Sequence, residues 1–307
     1  MNKTVAIIGA GRVGSAIGFL LNRAGYRITA VAAQSMKSAE KAATFIGRGE
    51  PLADAARAAA QAELIFITTP DRSIKEVCDR IVAGGGVRAG SLVVHTSGAH
   101  TLDLLDAVIK QGAKRAVIHP LQSVPSSEQG VQVLPGSYFR IEADPEARET
   151  AKEIVRALGG LELVMPRWSS DKDSAALYHA GAVAVSNYFV ALVDYGLKFY
   201  GALGADKEEA LKAVLPLIKG TLRNIEALGI PEALTGPIMR GDGETVRGHL
   251  EAMGKRAPEL VALYKALGRQ TVAVARDKGS IDQRTAEELL KLINEKTGAL
   301  QDADNIG

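Results

Sequence analysis

Cysteine is almost absent from this sequence: Cys78 is the only one. An intramolecular disulfide framework is therefore excluded, and one cysteine with five histidines offers no spacing of a structural zinc site. The expectation is a reducing compartment, the cytoplasm. Excess charge of one sign is also lacking. The formal net charge is +2, and no run of about five like charges occurs. Neither nucleic acid nor an anionic membrane is an expected partner. Long apolar runs are missing too, since no stretch of about 18 residues escapes a polar break, so no membrane span is expected. The opening MNKTVAIIGAGRVGSAIGFLL sets a lysine before an apolar run, as a signal peptide does. Its glycines fall at fixed offsets and Arg12 interrupts the run, so it reads as a first strand and helix. What is present, 47% hydrophobic and 23% charged residues over 307 positions, is the composition of a globular chain of one large or two ordinary domains. A small-molecule substrate is the default partner.

Up to about residue 165, Val/Ile-rich runs alternate with segments of helical period, the pattern of a parallel sheet covered by helices. The strand candidates are TVAIIGA, YRITAVAA, ELIFITTP, SLVVHTS, RAVIHP and SYFRIEA. Several are apolar nearly throughout, as strands buried on both faces must be. Between them SAIGFLLNRAG, SAEKAATFIG, SIKEVCDRIVAG and TLDLLDAVIKQG carry apolar residues three or four apart, and most end at glycine. After LELVMP the strand-like runs stop and helices fill the rest. The expected architecture is an α/β Rossmann-type domain with a mostly parallel sheet, residues 1–165, and an all-helical domain, residues 166–307. The first helix of that second half, DKDSAALYHAGAVAVSNYFVALVDYGLKFY, is apolar on most faces, which predicts burial against other helices or a second subunit.

Gly9, Gly11 and Gly14 follow the first strand directly and open a helix. In that context the first glycine makes the tight turn, the second lets backbone approach a pyrophosphate and the third lets helix pack on strand. The helix-start amides of Arg12 and Val13 then meet the phosphate charge. About twenty residues on, an NAD enzyme places Asp or Glu to hold the ribose. Here the stretch reads Ala33, Gln34, Ser35, Met36, Lys37, Ser38, with no acid. A 2′-phosphate needs donors and positive charge at that place, and Ser35, Lys37 and Arg12 supply them, so the expected cofactor is NADP. The alternative is that Ser35 only caps a helix while Lys37 lies in solvent. Thr68, Thr69 and Pro70, and Thr96, Ser97 and Gly98, end two further strands, where open sheets bind ligands. Ser97 is a candidate substrate ligand because Gly98 permits close approach.

IIGAGRVGSAIG, ELIFITTPDRSI, LVVHTSGAH and VIHPLQSV, followed by a helical half with LYHAGAVAVSNYFVAL and LTGPIMRGD, resemble the Rossmann-like/DUF2520 proteins, related to ketopantoate reductase and pyrroline-5-carboxylate reductase within the 6-phosphogluconate dehydrogenase-type superfamily. The resemblance covers nearly the whole chain. It implies an N-terminal dinucleotide domain, a helical domain that often makes homodimers, a substrate held between them, and NADP-dependent hydride transfer.

Hydride addition to a carbonyl or imine leaves charge on oxygen or nitrogen, which needs a proton donor and a polar clamp. Lys172, His179 and Ser186 are seven apart and form one stripe on a continuous helix, with Asn187 beside it. Related superfamily members place a lysine and an asparagine on the corresponding helix. Here Lys172 and Asn187 lie about four turns apart, too far to serve one atom. His179 is therefore the expected donor, with Lys172 as second choice and Asn187 and Ser186 orienting substrate. Tyr178, about 100° round the helix, is a packing residue or an alternative donor. In LTGPIMRGD, Thr235 and Arg240 are candidate substrate ligands, Arg240 through two parallel hydrogen bonds to a carboxylate; the alternative pairs Arg240 with Asp242. His249 in the next helix and His119 before Pro120 are further cleft-edge candidates. The leading expectation is an NADP-dependent reductase of a small keto or imino acid, with a ketopantoate-reductase-type activity as its most concrete version; the alternative is a non-catalytic NADP(H) sensor or partner-binding protein.

Overall fold

The structure is a computed structural model that describes residues 3–295. Its contacts divide the chain into two compact units between Asn187 and Tyr188.

The first unit is built on one eight-stranded sheet. Its strands are β1 (Thr4–Ile8), β2 (Arg27–Ala32), β3 (Glu50–Leu52), β4 (Leu64–Ile67), β5 (Leu92–His95), β6 (Lys114–Pro120), β7 (Tyr138–Ala143) and β8 (Leu161–Glu162), in spatial order β3-β2-β1-β4-β5-β6-β7-β8. Every neighbouring pair is parallel except β6 and β7. Strand order reverses between β1 and β4, which opens the crevice where doubly wound sheets bind ligands. The helices are α1 (Arg12–Arg23), α2 (Met36–Ile46), α3 (Ala55–Ala59), α4 (Asp71–Ala83), α5 (Ser127–Val133), α6 (Arg148–Ala157) and α7 (Lys172–Val185). The segment Leu102–Gln111 is a long 3-10 helix instead of the expected α-helix. Strand residues alternate between two cores: Val5, Ile7 and Phe66 face α1, α5 and α6, whereas Ala6, Ile8, Ile65 and Ile67 face α3 and α4. Apolar burial on both faces is why these strands read as near-continuous hydrophobic runs.

The second unit holds α8 (Asn187–Gly201, joined at its first residue), α9 (Lys207–Leu228), α10 (Gly243–Arg256), α11 (Val261–Asp277) and α12 (Gln283–Asn294). Its core is Val246, Leu250 and Met253 of α10 with Val272 and Ala275 of α11 and Leu289, Leu292 and Ile293 of α12.

The structure adds three observations to the sequence expectations. The sheet ends at Glu162, close to the expected boundary, yet the compact unit also takes in α7, because that helix docks its side chains on the sheet's own strand ends. The helix expected to run unbroken from residue 172 to residue 200 is interrupted at Ser186 alone, a turn residue whose φ of −117° and ψ of −71° distort the helix while staying in the right-handed region. Finally, Lys172–Gly201 is long and apolar enough to cross a membrane by length and composition, and none of its most apolar window is buried within the chain. Leu177 and Val185 are 77% and 78% exposed.

Candidate functional site

The turn from β1 to α1 has the shape of a phosphate cradle. Gly9 has φ +99°, and a Cβ there would sit 2.6 Å from the Thr69 amide nitrogen. At Gly14 a Cβ would meet the Thr68 hydroxyl at 2.3 Å and the Gly9 carbonyl at 2.5 Å. Over Gly11, by contrast, nothing lies within 4 Å. Two glycines are thus demanded by close packing, and the middle one opens onto free space at the helix start. Ser15 is the first amide of α1 to bond back, to Gly11 at 2.9 Å. The amides of Arg12, Val13 and Gly14 before it are left without acceptors, as at any uncapped helix start. The side chain of Val13 packs on the first core, so only its amide is offered, whereas Arg12 is exposed.

Thr68 and Thr69, adjacent in sequence, have different duties. The Thr68 hydroxyl donates to the Gly9 carbonyl at 2.7 Å and is consumed in holding the turn. The Thr69 hydroxyl is buried beside that turn with no partner among the described residues, an open polar valence of the sort a bound ligand satisfies. Pro70 precedes α4 and its carbonyl accepts from Ser73 at 2.8 Å. At the end of β2, Ser35 caps α2 by accepting from the Ser38 amide at 3.2 Å, and Lys37 is exposed. The observed cap matches the bland alternative for Ser35, whose hydroxyl in turn donates to the Ser38 hydroxyl at 2.9 Å.

The second cluster gathers at the ends of β5, β6 and β7. Ser97 is 3% exposed; its hydroxyl donates to Asp71 at 2.8 Å and accepts the Ala99 amide at 3.3 Å, tying the end of β5 to the start of α4. Behind it the Ser97 amide donates to Nδ1 of His95, which places the ring hydrogen on Nε2, donating to the Thr101 carbonyl at 2.9 Å. Burial lowers the His95 pKa to about 4, so this ring is a neutral structural strut. Arg140, paired in register with His119, is 1% exposed. Its guanidinium donates to the carbonyls of Ser97 at 3.1 Å and His100 at 2.6 Å, and pairs with Glu142 at 3.3 Å. It also lies 4.7 Å from the ring centre of Trp168 and 5.4 Å from that of Tyr178. Burial lowers the Arg140 pKa and raises that of Glu142, each partner opposing the shift of the other.

Two imidazoles meet over one glycine. A Cβ at Gly98 would lie 2.7 Å from Nε2 of His119 and 3.0 Å from Cδ2 of His179. His179 is half-buried, and among the described residues its ring makes no hydrogen bond. Nδ1 of His119 is 2.9 Å from the Tyr178 hydroxyl. Lys172 is not with them: its side chain is 85% exposed and pairs with Asp103 at 3.6 Å. Ser186 and Asn187 are exposed at the break between α7 and α8, away from the regular stripe that a continuous helix predicts. In the second unit Thr235 and Arg240 are exposed. Asp242 there caps α10 by accepting from the Thr245 amide at 3.0 Å; the Thr245 hydrogen bonds hold its carboxyl below the usual range, and the charge of Arg240 adds to them. The structure thus brings the expected Ser97, Tyr178, His179 and His119 together beside Arg140, Trp168 and Asp71, which sequence reasoning did not name. The signal for Arg140 was an arginine inside the apolar run SYFRIEA.

A Rossmann-like domain matches residues 2–120, and DUF2520, a domain of unknown function, matches residues 137–271. A search of proteins of curated function finds no match. Among solved structures, TM1727 from Thermotoga maritima is 25% identical with TM-score 0.68, covering 89% of this chain and 99% of its own. BF3122 from Bacteroides fragilis, assigned as an NADP oxidoreductase, is 24% identical with TM-score 0.68, covering 88% and 98%. A pyrroline-5-carboxylate reductase from Coxiella burnetii is 16% identical with TM-score 0.54, covering 94% and 98%. The fold is thus that of Rossmann-type proteins with a helical C-terminal region, and a relation to ketopantoate reductase in particular is not among these likenesses.

Proposed function

We propose that this chain is an NADP-dependent reductase of a small keto or imino acid, with reduction of ketopantoate as its most concrete version. The observation that carries the reading is the cradle at Gly9, Gly11 and Gly14, filled where packing demands and open where a pyrophosphate approaches. When bound, the nicotinamide supplies the hydride. The chain's own part is to hold the pyrophosphate on the amides of Arg12, Val13 and Gly14 and to satisfy the Thr69 hydroxyl. Ser35, Lys37 and Arg12 receive a 2′-phosphate at the acid-free end of β2. His179 serves as proton donor, with Lys172 as the second candidate. Substrate contacts fall to Ser97, Ser186 and Asn187 in the first unit and to Thr235 and Arg240 in the second. Structural likeness leaves the cofactor open, since a reductoisomerase described as NADH-preferring shares this fold with TM-score 0.60.

Titration of the protein with NADPH and NADH, read by cofactor fluorescence, tests the reading. The expected result is NADPH binding tighter by about 10-fold or more, a margin of about 1.4 kcal/mol, with Ser35→Asp shifting preference toward NADH. Equal affinities in both proteins would remove the 2′-phosphate assignment, and no binding of either cofactor would remove the reductase itself. A His179→Ala protein with unchanged turnover of ketopantoate would remove the donor assignment. The exposed apolar side chains of α7, α8 and α9 support a homodimer, with Leu177, Val185, Val190, Leu217 and Leu228 each more than half exposed. Sedimentation equilibrium giving a monomer at micromolar concentration would end that part.

A further inference from the structure

His119 is the group on which the site converges. Its Nδ1 meets the Tyr178 hydroxyl at 2.9 Å, with the rings edge to face at a centroid distance of 5.5 Å and an angle of 87°. Its Nε2 has no hydrogen-bond partner among the described residues and lies over Gly98, where a side chain would collide with it. Arg140 clamps the carbonyls of Ser97 and His100 on either side of that glycine, so the loop beneath Nε2 is fixed by a buried charge.

The hydrogen bond determines the tautomer. The phenol's one partner is Nδ1, and a phenol O–H is a better donor than an imidazole N–H, while a bare ring nitrogen is a better acceptor than a phenol oxygen. Tyr178 therefore donates to Nδ1, and Nε2 carries the ring hydrogen toward Gly98. Four groups set the charge state of the ring: Arg140 of β7, Tyr178 and His179 of α7, and His95 of β5. Burial first, then the positive charge of Arg140, lowers the His119 pKa to about 3, so an imidazolium is not the acid at neutral pH. Burial raises the Tyr178 phenol to about 12, and the Arg140 charge over its ring pulls the other way by favouring the phenolate.

We propose that Tyr178 and His119 form a proton relay in this site, His119 touching the substrate and Tyr178 positioning and recharging it. The proposal rests on the reductase reading and moves the donor's place from His179 to His119, its neighbour over Gly98. Hydride from the nicotinamide reduces the substrate carbon and leaves an electron pair on oxygen or nitrogen. The Nε2–H bond breaks as the substrate O–H or N–H bond forms, and the phenol O–H breaks as Nδ1–H forms. The ring stays neutral with its tautomer exchanged; after product leaves, the phenolate beside Arg140 takes the Nδ1 proton back as Nε2 takes a proton from solvent, which restores the starting state. An alkoxide is far more basic than this phenolate, so the transfer runs downhill.

Tyr178→Phe tests the relay, since it removes one oxygen and keeps the ring that stacks on Arg140 and Trp168. Expected are a near-native melting temperature, NADPH affinity unchanged within about twofold, and ketopantoate-dependent NADPH oxidation lowered by about 100-fold, the size of a lost general acid. The second readout needs no turnover. Nitrogen NMR of histidine-labelled, cofactor-free protein is expected to show His119 as the neutral Nε2–H tautomer across pH 5 to 9, and a mixed tautomer in Tyr178→Phe. A wild-type ring protonated on Nδ1, or a Tyr178→Phe turnover within about twofold of wild type, overturns the relay while intact NADPH binding leaves the reductase standing. Failure of the wild type to bind NADPH removes both.

Discussion

Among the described residues are two histidine–tyrosine pairs of nearly the same geometry, one in each unit. His119 and Tyr178 meet at 2.9 Å with rings 87° apart; His249 of α10 and Tyr264 of α11 meet at 2.7 Å with rings 89° apart. Their surroundings differ. The first pair joins a strand end to a helix, lies against Arg140 and Trp168, and leaves Nε2 over a glycine. The second joins two neighbouring helices, with His249 exposed. The same contact therefore has two meanings. Between the helices it is a surface tether, whereas at the sheet edge a buried cation and low polarity fix the proton's position. What distinguishes a candidate site from a contact is the shell behind it.

The largest effect should come from breaking that shell. Arg140→Met leaves Glu142 buried and uncompensated and frees the Ser97 and His100 carbonyls, at a cost of about 3–5 kcal/mol. Urea denaturation measures it. A loss below about 1 kcal/mol would mean that Glu142 simply takes up a proton, in line with its raised pKa, and that the Arg140 clamp is dispensable. The exposed pair has no such keystone to remove.

Acid tests the buried pair next. His95 and His119 have folded pKa values of about 4 and about 3, against 6.5 for a free ring. Because the folded values are depressed, the unfolded chain binds more protons than the folded one below pH 6.5. Stability contributed by the neutral rings is therefore complete above that pH and is lost as pH falls toward about 4. Each ring adds a slope approaching about 1.4 kcal/mol per pH unit. His119→Gln should remove one proton's share of the slope between pH 6 and 4. Identical slopes in wild type and His119→Gln would contradict the buried, neutral state of this ring.

The contrast also shows where sequence reading stops. β1, β2 and β4 to β7 were legible because strands buried on both faces carry their burial as unbroken apolar runs. β3 was not, since Glu-Pro-Leu at the sheet's edge has too few residues to show a period. Nor does alternation reveal direction, so the antiparallel β7 carried no mark. The glycine cradle could be read because each glycine answers a local demand of one turn. The His119 cluster depends on contacts across long separations: Tyr178 is 59 positions from His119, and Arg140 reaches Ser97 across 43. Periodicity along a helix assigned His179 a stripe but had no access to what the stripe faces. The same limitation put the boundary at residue 165, where strand-like sequence stops, rather than after α7, where docking on the strand ends stops.

The smallest effect gives the cleanest comparison of the two hydrogen bonds themselves. Double-mutant cycles with His→Ala and Tyr→Phe, followed by urea unfolding, isolate the coupling within each pair from the loss of packing. For His119 and Tyr178 the coupling should reach about 1–2 kcal/mol, because removing the phenol oxygen leaves Nδ1 unpaired among buried groups where water does not replace it. For His249 and Tyr264 a few tenths of a kcal/mol are expected, since water serves the exposed ring once the hydroxyl is gone. The shorter distance belongs to the weaker coupling, so separation alone predicts the opposite order. Couplings that follow the 2.7 Å and 2.9 Å separations would place the energy in the contact rather than in its surroundings, and the reason for singling out His119 would go with it.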